Sequence, residues 1–255
     1  MTSRIAVVTG GCGPLGSVIC ADLAAAGLAV IAVDLPDAVE SWQASAGAAA
    51  AITPHATDLT DTAQLDDLVD RLTREHGRLD VLVHNAAFTG TSGLTGWAVP
   101  FSDQSDEAFD AALHLNLAVP FRLTRRALPL LTASTSASVV MIASIYGLVG
   151  PDLGLYAGTQ MGNPAGYAAA KGGLVQLTRY LAAVLAPAVR VNAVAPGGIA
   201  RGQDPTFVER YVARTPMGRM ATESDVAGAV TWLASDDAQY VTGLILSVDG
   251  GWTAR

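Results

Sequence analysis

The stretch Arg4-Ile5-Ala6-Val7-Val8-Thr9-Gly10-Gly11-Cys12-Gly13-Pro14-Leu15-Gly16 decides how the rest of this sequence is read. Its first six residues are rich in β-branched and apolar side chains and read as a strand, and the glycines that follow permit a tight turn. A helical pattern comes next, from about Ser17 to Ala26. Strand, glycine-rich turn and helix in that order let the backbone approach a pyrophosphate, which then rests on the helix N-terminus. Gly10, Gly13, Pro14, Leu15 and Gly16 would line that site. The turn lacks a Gly-Lys-Ser/Thr ending, which excludes a P-loop. Many strand-to-helix turns carry glycine for geometry alone; standing first in the chain is what favours a dinucleotide here.

Outward from that turn, short apolar runs alternate with longer helical patterns. The strand candidates are Arg4–Thr9, Ala29–Asp34, Ala51–Ala56, Leu79–His84, Ser138–Ser144, Val189–Val194 and Leu244–Val248. Most are apolar without alternation, as strands buried on both faces of a parallel sheet are. Between them, the segment from Asp61 puts Leu65, Leu68, Val69 and Leu72 on one face and Asp66, Asp67 and Asp70 on the other. It opens with Asp61-Thr62-Ala63-Gln64 as a capping box and stops at Gly77, and Thr222-Glu223-Ser224-Asp225 opens another helix the same way. The alternation predicts an α/β fold: a doubly wound, Rossmann-type parallel sheet of about seven strands, with helices on both faces. Its ligand crevice lies at the carboxyl ends of the strands. With no linker, repeat or low-complexity tract, residues 1–255 read as one domain.

The second strand ends at Asp34, 18 residues past Gly16. An acidic side chain there accepts hydrogen bonds from the adenosine ribose hydroxyls. It would also repel a 2′-phosphate, and neither Leu35-Pro36-Asp37 nor the glycine turn holds an Arg or Lys to offset that. NAD is therefore expected rather than NADP. The alternative is that Asp34 only caps the next helix.

Composition narrows the classes. Of the 255 residues, 51% are hydrophobic and 15% charged, which describes a well-buried globular chain and not a disordered one. A net charge of −8 argues against nucleic-acid or anionic-membrane partners. No run of ~20 apolar residues reads as a membrane span, and the N-terminus lacks the pattern of a signal peptide. Cys12 and Cys20 make no metal or C-x-x-C spacing, and His55, His76, His84 and His114 are scattered, so no catalytic metal is expected. The cytoplasm is the expected location.

Chemistry centres on Tyr167-Ala168-Ala169-Ala170-Lys171 and on Ser144 upstream. Tyrosine and lysine four positions apart share a helix face. A free phenol has a pKa of roughly 10 and is a poor acid or base at neutral pH. A nearby ammonium favours the phenolate and draws that pKa down. A serine hydroxyl at the end of a neighbouring strand could hold the substrate oxygen. Such a trio moves a proton on or off an alcohol, although Tyr-x-x-x-Lys alone also occurs as surface decoration.

Taken together, these motifs resemble the short-chain dehydrogenase/reductase family over nearly the whole chain. Asp58-Leu59 matches a pair that touches the adenine in that family. His84-Asn85-Ala86-Ala87 is similar to the family's Asn-Asn-Ala-Gly with both ends altered, and Asn116 matches a helical asparagine of its proton relay. Asn192-Ala193-Val194-Ala195-Pro196-Gly197 matches the segment along the nicotinamide, with Gly198 and Ile199 following. Val248-Asp249-Gly250-Gly251 matches the single-domain branch, commonly tetrameric. The resemblance implies hydride transfer between NAD and a secondary alcohol or ketone, with Tyr167 as acid/base. It assigns Lys171 to lowering the tyrosine pKa and binding the nicotinamide ribose, Ser144 to orienting the substrate oxygen, and Asn116 to holding a water. Asn116 could equally satisfy a buried backbone group.

Three departures stand out. Gly10, Gly13 and Gly16 have the spacing of the sugar-nucleotide epimerase branch, with Pro14 where a glycine is usual. Ser144 and Tyr167 stand 23 positions apart, so an insertion around 148–165 must loop out beside the site. The threonine usual after Pro-Gly is missing, and Pro196-Gly197-Gly198-Ile199-Ala200 leads to Arg201 instead. The insertion and the Pro-Gly-Gly-Ile segment look most like a surface-sugar and flagellin-glycan subgroup, which points to a sugar, cyclitol or cyclic alcohol. A lid around 200–216 carries Arg201, Arg210 and Arg214, which could meet an anionic substrate or be solvated charges. Trp97 and Phe101 could line the pocket or cover the sheet edge. An epimerase or dehydratase with transient NAD, and a non-catalytic NAD sensor, are the alternatives. A homo-oligomer, tetramer or dimer, is expected through the Ala-rich helix after Gly166 and the long helix before it.

Overall fold

The computed structural model describes residues 3–45, 51–90 and 93–254. Seven strands, β1 (Ile5–Thr9), β2 (Ala29–Asp34), β3 (Ile52–Ala56), β4 (Val81–His84), β5 (Ala137–Ile142), β6 (Val189–Pro196) and β7 (Ile245–Val248), form one sheet. Its order is β3-β2-β1-β4-β5-β6-β7 with every pair parallel. The helices are α1 (Pro14–Ala25), α2 (Pro36–Ser45), α3 (Thr62–His76), α4 (Asp106–Leu113), α5 (Val119–Thr132), α6 (Ala165–Leu185), α7 (Pro205–Arg214) and α8 (Glu223–Ala234). The order turns back between β1 and β4, which opens the crevice of a doubly wound sheet at their carboxyl ends.

Each face of the sheet carries its own core. Val7, Leu82, Val139 and Met141 pack with Leu68 and Leu72 of α3, Leu123 and Leu131 of α5, and Leu174 of α6. Their strand neighbours Ala6, Val8, Val83 and Val140 point the other way, onto Ile19 and Leu23 of α1 and Val230 and Leu233 of α8. Two buried faces are why these strands show no polar alternation. The edge strands β3 and β7 are only partly buried, and Pro54, which has no N–H to donate, sits on the β3 edge.

Several boundaries differ from expectation. Helix α1 begins at Pro14, three residues earlier than expected, because proline suits the first helical position and Gly13 supplies the cap. Strand β5 stops at Ile142, so Ser144 lies beyond the strand, and β6 runs two residues further, to Pro196. Asp61 does cap α3, accepting from the N–H groups of Ala63 and Gln64, and Gly77 closes it at φ 67°. Gln64 does not complete a reciprocal box, because its carbonyl accepts the Asp58 N–H at 2.9 Å instead. At α8 the Thr222–Asp225 box does close, and Arg219 forks onto Asp225 and holds its carboxyl well below the usual range. Among the described residues no helix is long and apolar enough to cross a membrane.

The glycine turn depends on one contact above all. A Cβ on Gly16 would stand 1.9 Å from the Gly10 carbonyl oxygen, so α1 lies directly against the turn. Gly16→Ala is expected to lower stability by about 1–3 kcal/mol, read as a lower urea midpoint with an unchanged slope. An unchanged midpoint would mean that the turn and helix do not need this approach.

Candidate active site

At the carboxyl end of β1 the turn is braced from β4. The Thr9 hydroxyl accepts the N–H groups of Asn85 and Ala86 at 3.0 and 3.1 Å. The Asn85 amide donates to the Thr9 and Gly10 carbonyls at 3.0 and 2.9 Å. Gly10 adopts φ 63°, and a Cβ there would stand 2.9 Å from Ala86 Cα. The result is a backbone-lined hollow over the first turn of α1, whose N–H groups have no helical partners. Its fit to a pyrophosphate is physical: glycine lets the turn close against α1 and Ala86 with its backbone bare, and the helix end favours negative charge.

Asp34 serves that turn. Its carboxylate accepts the N–H groups of Cys12 at 3.0 Å and Leu35 at 2.9 Å, tying the glycine turn to the end of β2. A carboxylate has about four acceptor positions, so two remain for ribose hydroxyls. The Asp58-Leu59 pair follows β3. Leu59 is buried in the core, and Asp58 spends one oxygen on the backbone and hydroxyl of Thr60. Both side chains hold the β3–α3 turn, and the second Asp58 oxygen makes no bond to the protein among the described residues.

Ser144 caps a 3₁₀ turn, Ile145–Gly147, accepting the Tyr146 N–H at 3.2 Å. Its hydroxyl lies close enough to the phenol of Tyr167, in the first turn of α6, to draw that pKa down. Helix α6 reaches this turn because Gly147 has no side chain: a Cβ there would be 2.6 Å from the Lys171 carbonyl. One helical turn on, buried Lys171 donates from Nζ to the Ile142 carbonyl at 2.7 Å. Burial pushes its pKa down to about 8, which leaves it mostly charged at pH 7. Its ammonium stands 5.7 Å from the centroid of the Tyr167 ring.

Burial raises the Tyr167 phenol, and the Ser144 hydroxyl and the charge of Arg201 draw it back down. A cation as close to the ring as the Lys171 ammonium also favours the phenolate. Asn116 lies in a π-helical turn, His114–Ala118, between α4 and α5. Its Oδ1 accepts the Phe88 N–H at 2.6 Å and its Nδ2 donates to the Phe88 carbonyl at 3.2 Å. The side chain thus satisfies a buried backbone group with one bond from each end of its amide. The widened turn itself is a feature that recurs at functional sites.

At the end of β6 Pro196 is buried, and beyond it Gly198 donates its N–H to the Tyr211 hydroxyl at 2.6 Å. The Gly197-Gly198 pair makes room for that tyrosine: Cβ atoms there would lie 2.7 Å from its hydroxyl and 3.0 Å from its ring. Ile199 is held by a bridge to Ala221 and by Gln203, which donates to its carbonyl. The lid arginines are engaged by protein. Arg201 pairs with Glu223 at 3.0 Å, Arg210 donates to the carbonyls of Gly154, Leu155 and Ala157, and Arg214 pairs with Asp152. Two of the three thus fasten α7 to the insertion. Trp97 meets Phe88 edge-on at 4.6 Å, and Phe101 is 82% exposed. A cleft of about 740 Å³ between the insertion, Arg214 and Trp252 is not lined by Ser144, Tyr167 or Lys171.

A family model described as enoyl-(acyl carrier protein) reductase matches residues 14–253. The chain belongs to the short-chain dehydrogenase/reductase family. A 3-oxoacyl-acyl-carrier-protein reductase of Thermotoga maritima is 30% identical over 260 residues, covering 98% of both chains. The cis-4-hydroxycyclohexanecarboxylate dehydrogenase of Sinomonas cyclohexanicum is 35% identical, covering 98% of this chain and 97% of its own. A crystal structure of a short-chain dehydrogenase from Leptospira borgpetersenii with bound NAD+ superposes with a TM-score of 0.86 at 29% identity, covering 99% of this chain and 94% of that one. The protein is accordingly an oxidoreductase of a family that works with a nicotinamide cofactor on alcohols and ketones.

Within this short-chain dehydrogenase/reductase, the fold gathers Ser144, Tyr167 and Lys171 beside the cradle of Gly10, Gly13, Gly16, Asp34, Asn85 and Ala86. Sequence reasoning missed Gly147, Tyr146, Tyr156 and Tyr211. For Tyr211 a signal existed: Phe207 and Tyr211 are four apart and form one aromatic face of α7, stacked 5.7 Å apart. The insertion offered no periodicity to read, because it contains only a 3₁₀ turn, Leu153–Leu155.

Proposed function

We propose that this protein transfers a hydride between NAD(H) and a ring-bearing secondary alcohol or its ketone, with Tyr167 as the acid/base. The observation that carries the reading is the Tyr167 phenol within reach of the Ser144 hydroxyl, with buried Lys171 one helical turn behind and its ammonium 5.7 Å from the phenol ring. In the oxidative direction the substrate hydroxyl gives its proton to Tyr167 while Ser144 holds the same oxygen in place. When bound, the nicotinamide supplies the hydride acceptor. The chain's part is to position it. Gly10, Gly13, Pro14, Leu15 and Gly16 take the pyrophosphate, and Asp34 and the Leu35 backbone the adenosine ribose. Lys171 has two further N–H groups for the nicotinamide ribose, and Pro196, Gly198 and Ile199 run along the ring. The Ala86 backbone closes the floor of the cradle.

NAD is favoured over NADP because the Asp34 carboxylate meets the ribose edge with no cation beside it in the turn. Asp34→Ala is expected to raise the KM for NAD about 10- to 100-fold and to erase the preference over NADP, measured as kcat/KM with each cofactor. Wild-type protein that prefers NADP would overturn this assignment. A cyclic substrate is supported by the aromatic surroundings of the site and by similarity to a relative named for a cyclohexane carboxylate. The reading treats residues 1–255 as one domain working in the cytoplasm, with 200–216 as a lid. Phe121 on α5 and Tyr180 and Val184 on α6 are exposed apolar groups suited to a homo-oligomer, dimer or tetramer.

A further inference from the structure

The insertion brings more polar chemistry to the site than proton transfer needs. The hydroxyls of Tyr146 and Tyr156 meet at 2.8 Å, and both phenols are within electrostatic reach of Tyr167. Burial keeps both above the ordinary phenol range, so at physiological pH each is a neutral O–H group. Bonded to each other they use one proton and leave one to donate, together with free lone pairs. Asn163, just ahead of α6, lies close enough to influence both phenols, yet both polar atoms of its amide are shut off from solvent without an aligned partner. The indole N–H of Trp252, whose ring meets Tyr146 edge-on at 6.3 Å, is likewise buried and unpartnered. Buried polar groups normally find partners, because leaving them unmade is costly. The rest of the wall is aromatic: Phe207 packs on Tyr156 at 5.2 Å, and Tyr211 stacks on Trp252 at 6.0 Å. Arg210 and Arg214 hold the insertion in this position from α7.

We propose that Tyr146, Tyr156 and Asn163 form a subsite for a second oxygen of the substrate, so that the enzyme selects ring compounds carrying a hydroxyl or carbonyl beyond the reacting one. The subsite rests on the reading of Ser144 and Tyr167 as the reacting end. Aromatic walls accept the C–H faces of a ring, and the unspent donors and acceptors select among rings by their second polar group. Neither Tyr156 nor Asn163 touches the transferred proton, so both are specificity residues.

Calorimetric binding of cyclohexanol and of the 1,2-, 1,3- and 1,4-cyclohexanediols tests this. The titrations use protein loaded with NADH, so that the alcohols bind without reacting. At least one diol is expected to bind about 5- to 10-fold tighter than cyclohexanol to the wild type. Tyr156→Phe and Asn163→Ala are each expected to remove most of that ratio while leaving the affinities for cyclohexanol and NADH within about twofold. NADH binding also reports that each variant is folded. Diols that bind no better than cyclohexanol, or a ratio that survives in both variants, would overturn the proposal. Because no turnover is needed, diol selectivity lost in the variants alongside an absence of NADH formation from any alcohol would reject the hydride-transfer reading and leave the subsite standing.

Discussion

Tyr167→Phe is expected to fold, to bind the nicotinamide cofactor as the wild type does, and to lose about 10²- to 10⁴-fold in kcat on any alcohol the enzyme accepts. The substitution removes one oxygen from a ring that stays packed in the first turn of α6. Its structural cost is the polar contact of the phenol with Ser144, about 1 kcal/mol at most. The loss belongs in kcat because the proton is exchanged only as the substrate oxygen changes charge. Steady-state kinetics beside a cofactor titration separates these quantities. Turnover that survives the substitution would remove Tyr167 from the mechanism, and a parallel loss of cofactor binding would make the residue structural.

The second large effect concerns stability in acid. His84 ends β4 fully inside the protein, where its Nε2 meets the Thr124 hydroxyl at 2.8 Å, and burial pushes its pKa down to about 3. The unfolded chain takes up a proton near the ordinary histidine value of about 6.5. Below that pH the unfolded state binds a proton that the folded state refuses. Stability present above about pH 6.5 is therefore lost as pH falls toward 3, at up to about 1.4 kcal/mol per pH unit and about 4 kcal/mol in all. His84→Asn, the residue that the related motif carries, is expected to flatten the urea-unfolding profile between pH 6.5 and 4 relative to the wild type. Parallel profiles for the two proteins would show that His84 takes its proton in the folded state.

What the sequence disclosed, and what it concealed, divides along physical lines. Strands buried on both faces declare themselves as apolar runs, so the sheet was legible to within one or two residues at most strand ends. Local signals such as Gly77 closing α3 or Thr222 opening α8 were equally readable, because capping depends on neighbours in sequence. The exceptions arose where the third dimension chose between equivalent partners. The Gln64 carbonyl accepts the Asp58 N–H rather than that of Asp61, and Asn116 turns its amide on Phe88, 28 residues away. The order of motifs singled out Ser144, Tyr167 and Lys171, but the direction of the Lys171 ammonium, over the ring and onto the Ile142 carbonyl, is a packing result that no spacing encodes. Arg210 and Arg214 were ambiguous for the same reason: a cation on a helix face reveals its partner only when the insertion folds against it. The insertion itself, irregular and without period, hid Tyr156 and Asn163 altogether.

The account stands or falls on where the hydride goes. A cyclic secondary alcohol deuterated at its carbinol carbon, incubated with wild-type protein and NAD, gives the most direct reading through mass spectrometry of cofactor and product. The account predicts one deuterium on the nicotinamide for every ketone formed, with none exchanged into water. Deuterium that returns to the recovered alcohol or its epimer, with no labelled NADH released, would contradict it in favour of a transient-cofactor epimerase, and deuterium lost to water would contradict hydride transfer itself.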